Sequence, residues 1–158
     1  MSGRADAGTP EAERASTAMP VAVAAPDAAI IVFDGVCALC NGWVDFLLAR
    51  DRCQRYRFAA MQTAAGRRLL AAHGLDPDDP DSFLLLDGQG AHTGTDAIAR
   101  VLSGLGGVWR VAALGRLLPL ALRDRLYRLA ARNRYRLFGR RGACRMPEAA
   151  QRHRFLVD

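Results

Sequence analysis

The run Ala28-Ala29-Ile30-Ile31-Val32-Phe33-Asp34-Gly35-Val36-Cys37-Ala38-Leu39-Cys40-Asn41-Gly42-Trp43 holds a strand, a turn and a helix start in close succession. Its first six residues are small, β-branched or aromatic and uncharged, as a buried strand requires. Asp34-Gly35 is the turn signal that ends it. Beyond the turn, Trp43, Val44, Phe46, Leu47 and Leu48 spread over a broad apolar helical face that leaves Asp45 and Arg50 outside. Cys40 therefore falls at or inside a helix N-terminus, with Cys37 just before it.

Working outward, Tyr56-Arg57-Phe58-Ala59 alternates as a strand, and Gln62–His73 has helical spacing closed by Gly74. The acidic, proline-containing loop Asp76–Asp81 precedes the apolar strand Phe83–Leu86, whose Asp87-Gly88 turn predicts a hairpin to Ala91–Thr93. Thr95-Asp96 caps a helix to about Ser103. Gly104–Gly107 breaks the chain, Val108–Leu118 makes another helical piece, and Pro119 opens a final helix, Leu120–Phe138. The order β-α-β-α-β-β-α predicts an α/β thioredoxin-like fold, a central mixed sheet flanked by helices. The expected division is a disordered leader at 1–27, the core at 28–105, and a helical, Arg-rich extension at 106–158 packed on the same domain.

With 158 residues the chain suits one compact domain, and no internal repeat is present. All 22 basic residues are Arg, which excludes Schiff-base lysine chemistry and a Walker-type phosphate lysine. Residues 1–99 hold 8 Arg against 13 acids, whereas residues 100–158 hold 14 Arg against 3, so the net charge of +6 belongs to the C-terminal third. On the last helix Leu122, Leu126, Leu129, Ala130 and Leu137 share a face, with arginines over much of the rest. The first 28 residues lack the layout of a signal peptide. The longest apolar stretch, Val101–Leu122, is interrupted by Arg110, Arg116, glycines and Pro119, so no transmembrane segment is predicted and the cytoplasm is the expected compartment.

Four cysteines, at 37, 40, 53 and 144, are too few for a disulfide-stapled secreted scaffold. A Cys-x-x-Cys between a strand and a helix gives the first thiol exposure and a helix dipole, and keeps the second within bonding distance. Cys37 is then the attacking thiolate, and Cys40 resolves the mixed disulfide by displacing the reduced product. Asp34 is near enough to accept a thiol proton, yet its charge also opposes thiolate formation, so the sequence leaves the sign of its effect open.

The segment Phe33–Trp43 resembles the signature of the DCC family of thiol-disulfide oxidoreductases, an Asp followed by two cysteines. Similar features recur in Arg57-Phe58-Ala59-Ala60-Met61-Gln62, the acidic loop before Phe83–Leu86, Thr95-Asp96-Ala97, Ala131–Arg136, and Phe138-Gly139-Arg140-Arg141 with Cys144, covering about residues 29–146. The resemblance implies a thioredoxin-like fold and disulfide oxidoreductase activity, carried over to Asp34, Cys37 and Cys40. Typical thioredoxins place a cis-proline before the third strand, facing the cysteines. Here Asp81-Ser82 precedes Phe83, so Ser82 is the expected facing residue, and Trp43 is a second expected docking residue.

Other readings are weaker. Phe33-Asp34-Gly35-Val36 also resembles the first strand of haloacid-dehalogenase-like phosphatases, but their second aspartate is Val36 here. A zinc module would need ligands from Cys53, Cys144, His73, His92 and His153, which form no second close pair, so no metal and no cofactor is expected. Cys144, flanked by Arg141 and Arg145, is a candidate additional redox thiol, and Cys53 is incidental. The expected partner is a protein or small-molecule disulfide or dithiol. The Arg-rich region could also meet an anionic surface, but without a reading module no specific nucleic-acid recognition is expected. The alternative to an enzyme is a non-catalytic binding module, holding zinc or docking to an anionic membrane or partner.

Overall fold

The computed structural model describes residues 28–79, 83–144 and 147–156. Strand β1 (Ala29–Phe33) pairs in parallel with β2 (Tyr56–Ala60) and antiparallel with β3 (Leu84–Asp87). β3 in turn pairs antiparallel with β4 (Gly90–Thr93), giving the order β2-β1-β3-β4. The mixed sheet flanked by helices is the predicted thioredoxin-like class.

β1 has a paired strand on each side and apolar layers on both faces, so all five of its residues are buried. Alternation splits them. Ile31 and Phe33 join Val44 and Leu47 of α1 (Ala38–Arg50) and Ala97 and Val101 of α3 (Gly94–Leu105). Ile30 and Val32 join Leu70 of α2 (Ala64–Ala72) on the other face. Each fully buried Leu, Ile or Phe in these layers contributes about 1.5–3 kcal/mol. Helix α2 starts at Thr63, whose hydroxyl accepts the Gly66 N–H at 3.1 Å. Gly66 is required there, because a Cβ would overlap the Ala60 carbonyl of β2.

The segment predicted as helical after α3 is a 3₁₀ helix, η1 (Gly107–Leu117), and α4 spans Leu120–Phe138 as expected. Trp109 holds η1 to the body by edge contact with Phe46 of α1, at 4.9 Å between centroids. The packing of α4 differs from what the leucine periodicity suggests. Leu122, Leu126, Leu129 and Leu137 are exposed, whereas Arg123, Tyr127, Ala131 and Arg134 line the inner side, with Arg134 buried. The long arginine stem packs as an apolar rod and brings its charge to a buried carboxylate, so this stripe outcompetes the leucines for the core.

A second 3₁₀ helix, η2 (Ala149–Arg154), has no counterpart in the sequence reading. It returns the chain to the free edge of β2, where Leu156 N–H donates to the Phe58 carbonyl at 2.8 Å. Phe155 enters the core against Phe58 (5.4 Å between centroids) and Phe33 (6.5 Å). Buried Arg154 donates to the Tyr56 carbonyl and to buried Asp51, whose other oxygen accepts the Arg55 N–H. Residues 1–27 and Ser82 lie outside the described residues. Among the described residues no helix is long and apolar enough to cross a membrane.

Candidate active site

The loop leaving β1 is held by its own Asp34 and by polar groups that reach it from other segments. Asp34 Oδ1 accepts the Val36 N–H (3.1 Å) and the Gln62 amide (2.7 Å), while Gln62 Oε1 accepts the Gly35 N–H at 2.9 Å. Buried Asn41 donates to the carbonyls of Gly35 (2.9 Å) and Cys37 (2.7 Å), clamping the loop to the first turn of α1. Cys37 is the N-cap of that helix, and its sulfur accepts the Cys40 N–H at 3.3 Å. A thiol there receives both an amide hydrogen and the positive end of the helix.

From the far end of the chain, α4 adds two side chains. The Tyr135 hydroxyl donates to Asp34 Oδ2, and Arg134 Nη2 lies 3.7 Å from the same oxygen. Both partners of this ion pair are buried, Asp34 at 2 % exposure and Arg134 at 5 %. The Arg134 guanidinium also stands 4.8 Å from the centre of the Tyr135 ring, with Arg140 at 5.2 Å.

Spacing predicts the first cysteine as the exposed one, and the structure reverses this. Cys37 has 0 % exposure, and Cys40 is partly exposed. The cause is the strand-like segment after α4. Arg140 forms a β-bridge with Cys37, Arg141 N–H donates to the Val36 carbonyl at 2.8 Å, and Ala38 N–H reaches the Gly139 carbonyl at 3.4 Å. Cys40 faces a cavity of about 220 Å³ with largely apolar walls from Leu39, Trp43, Phe83, Ile98 and Ala131, into which Asp34 and Arg134 also project. Burial pushes the Cys40 thiol far up from 9.0, and the hydrogen bond and charge of Cys37 add to this while Arg134 opposes it.

The structure thus gathers Asp34, Cys37, Cys40 and Trp43. Trp43 lines the cavity with its ring stacked on Phe46 at 5.4 Å. Cys144 packs beside the loop. A Cβ on Gly35 would lie 2.5 Å from its sulfur, so the missing side chain is the space this thiol occupies. Cys53 is exposed just beyond α1. Among the described residues no three His, Cys, Asp or Glu side chains converge on a metal position. Sequence reasoning missed the roles of Asn41, Gln62, Arg134 and Tyr135. All four fall within segments whose family likeness is legible, but nothing local says that Gln62, Arg134 and Tyr135 meet Asp34.

No solved structure matches the chain. It is 37% identical over 127 residues to the uncharacterized protein YuxK of Bacillus subtilis, covering 80% of this chain and 93% of that protein. It is also 37% identical over 118 residues to a chloroplastic DCC family protein of Arabidopsis thaliana, covering 74% and 69%. The model of the DCC1-like thiol-disulfide oxidoreductases matches residues 31–140, from β1 through the segment that covers Cys37. The chain belongs to that family.

Proposed function

We propose that this protein exchanges disulfides with a protein or small-molecule partner through Cys37 and Cys40, with Cys37 as nucleophile. The carrying observation is the asymmetry of the two sulfurs. Cys37 caps α1 and accepts the Cys40 N–H, whereas burial holds Cys40 as a protonated thiol. With the Gly139–Arg141 cover drawn back from Cys37, its thiolate attacks one sulfur of the substrate disulfide, forming a mixed disulfide and releasing the other sulfur as a thiolate. Cys40 then gives up its proton and attacks Cys37, closing the Cys37–Cys40 disulfide and freeing the second substrate thiol. Asp34, on the wall of the same cavity as Cys40, is the acceptor for that proton. Trp43 and the apolar walls hold the substrate side chain next to Cys40, the resolving thiol. A cytoplasmic setting, which keeps the pair supplied with reductant, belongs to the same reading.

The test is a pair of variants assayed against a disulfide-bonded peptide. Cys37→Ser should fall to the uncatalysed rate, and Cys40→Ser should accumulate a mixed disulfide that peptide mass mapping assigns to Cys37. Full turnover by Cys37→Ser, or an adduct on Cys40, would overturn the assignment. The same maps read whether Cys144 replaces Cys40 by bonding to Cys37. Metal analysis of the sample adds a further arm, since stoichiometric zinc without a redox transition would make the cysteines ligands instead.

A further inference from the structure

We infer that the outward face of α4, together with η1, docks on an anionic phospholipid bilayer. Helical spacing sets Leu122, Leu126, Leu129 and Leu137 in one stripe along a helix about 28 Å long. All four are exposed, Leu126 at 54 % and Leu129 at 61 %. Arg125, Arg132 and Arg136 run along one flank of that stripe, and all three are exposed. Val111, Leu114 and Leu117 of η1, the element that precedes α4 in the chain, are exposed as well, Leu117 at 80 %. Trp109 fixes the other side of η1 to Phe46, so these side chains are presented outward from an anchored element. A run of exposed leucines on an otherwise cationic helix is the composition of an element that lies in the plane of a membrane interface.

Charge selects the occupant. Residues 107–138, from η1 through α4, contain eight Arg and one acid, Asp124, which accepts a hydrogen bond from Thr95. A second copy of this face would oppose arginine to arginine with no acidic row to pair them. Nucleic acid would satisfy the guanidinium groups and leave the leucines in water. An anionic bilayer meets both, with hydrocarbon for the leucines and phosphates for the arginines.

The experiment is co-sedimentation of the full chain with vesicles of phosphatidylcholine alone and of phosphatidylcholine mixed with phosphatidylglycerol. Binding to the anionic vesicles should exceed binding to the neutral ones by at least about tenfold and weaken as salt shortens the screening length. Leu126→Gln with Leu129→Gln should abolish it while leaving the unfolding temperature and the disulfide-exchange rate unchanged. Failure to sediment with anionic vesicles at low salt would overturn the inference, as would equal binding to both vesicles. A concentration-dependent dimer removed by the same leucine variants, without vesicle binding, would show that a second copy covers the face. None of these outcomes depends on whether Cys37 and Cys40 exchange disulfides, so failure here leaves that proposal standing.

Discussion

Residues 28–105 and 106–156 obey opposite packing rules. In the first, apolar side chains at strand and helix spacing are buried, and most charges are outside. In the second, Arg134, Tyr135 and Arg154 point inward while a leucine stripe points outward. The first region builds a core from periodicity. The second docks through a few anchors, each aimed at a specific polar group or gap left by the first: Arg134 and Tyr135 at Asp34, Phe155 at the gap beside Phe58, and Cys144 at the space over Gly35. A segment can therefore look peripheral by composition and still complete both the core and the candidate site.

Removing one anchor is the strongest way to break that contrast. Phe155→Ala should destabilise the protein by about 3–5 kcal/mol, as expected for a buried Phe. A cost below about 1 kcal/mol in urea unfolding would mean that the C-terminal return is dispensable to the core. Tyr135→Phe comes next. It deletes a hydroxyl bonded to a buried carboxylate and should cost about 1.5–3 kcal/mol. It should also slow release of the mixed disulfide more than its formation, which single-turnover kinetics separates. Equal slowing of both steps would limit Tyr135 to a structural role.

Alkali tests the buried protonated groups of both regions. Burial raises Tyr56 from 10.0 to about 12 and raises Cys40 from 9.0, so folding favours the protonated form of each. The stability they contribute is complete below their unfolded values and is lost as pH rises through the folded ones, beginning near pH 9 for Cys40 and pH 10 for Tyr56. In the second region burial and the bond to Asp34 raise Tyr135 in the same sense, while the arginines stay charged throughout. The urea midpoint of the reduced protein should therefore fall through this alkaline range, and a flat profile would contradict the burial of both groups. The smallest effect belongs to the outer stripe, where Leu129→Gln should change stability by no more than about 0.5 kcal/mol. A larger loss would place that leucine inside the fold.

Much of the fold is legible because β1, β2 and α4 carry strong local signals. β1 has an uncharged β-branched run ended by Asp34-Gly35, and α4 has Pro119 before its start and Gly139 at its end. The inward face of α4 is not legible. Leucine spacing reports amphipathicity without saying which side is covered, and arginine stems can pack as well as leucines. Phe155 is a single aromatic after a polar stretch, and its burial depends on an edge of β2 nearly a hundred residues away. At the site, Asp34, Cys37 and Cys40 stand out by spacing. Which thiol is covered does not, because the cover comes from Gly139–Arg141, and strand-like pairing across that distance leaves no mark near residue 37.

Helix α4 carries Arg134 on one side and the leucine stripe on the other, and a rigid helix cannot move one without the other. Anything that binds the stripe more tightly in one setting of the helix than another also reweights the position of the guanidinium beside Asp34 and Cys40. Thermodynamic reciprocity then runs in both directions. Whatever factor surface occupancy applies to the dithiol–disulfide equilibrium, closing the disulfide applies to the affinity of the surface, so each of the two states becomes a reporter of the other.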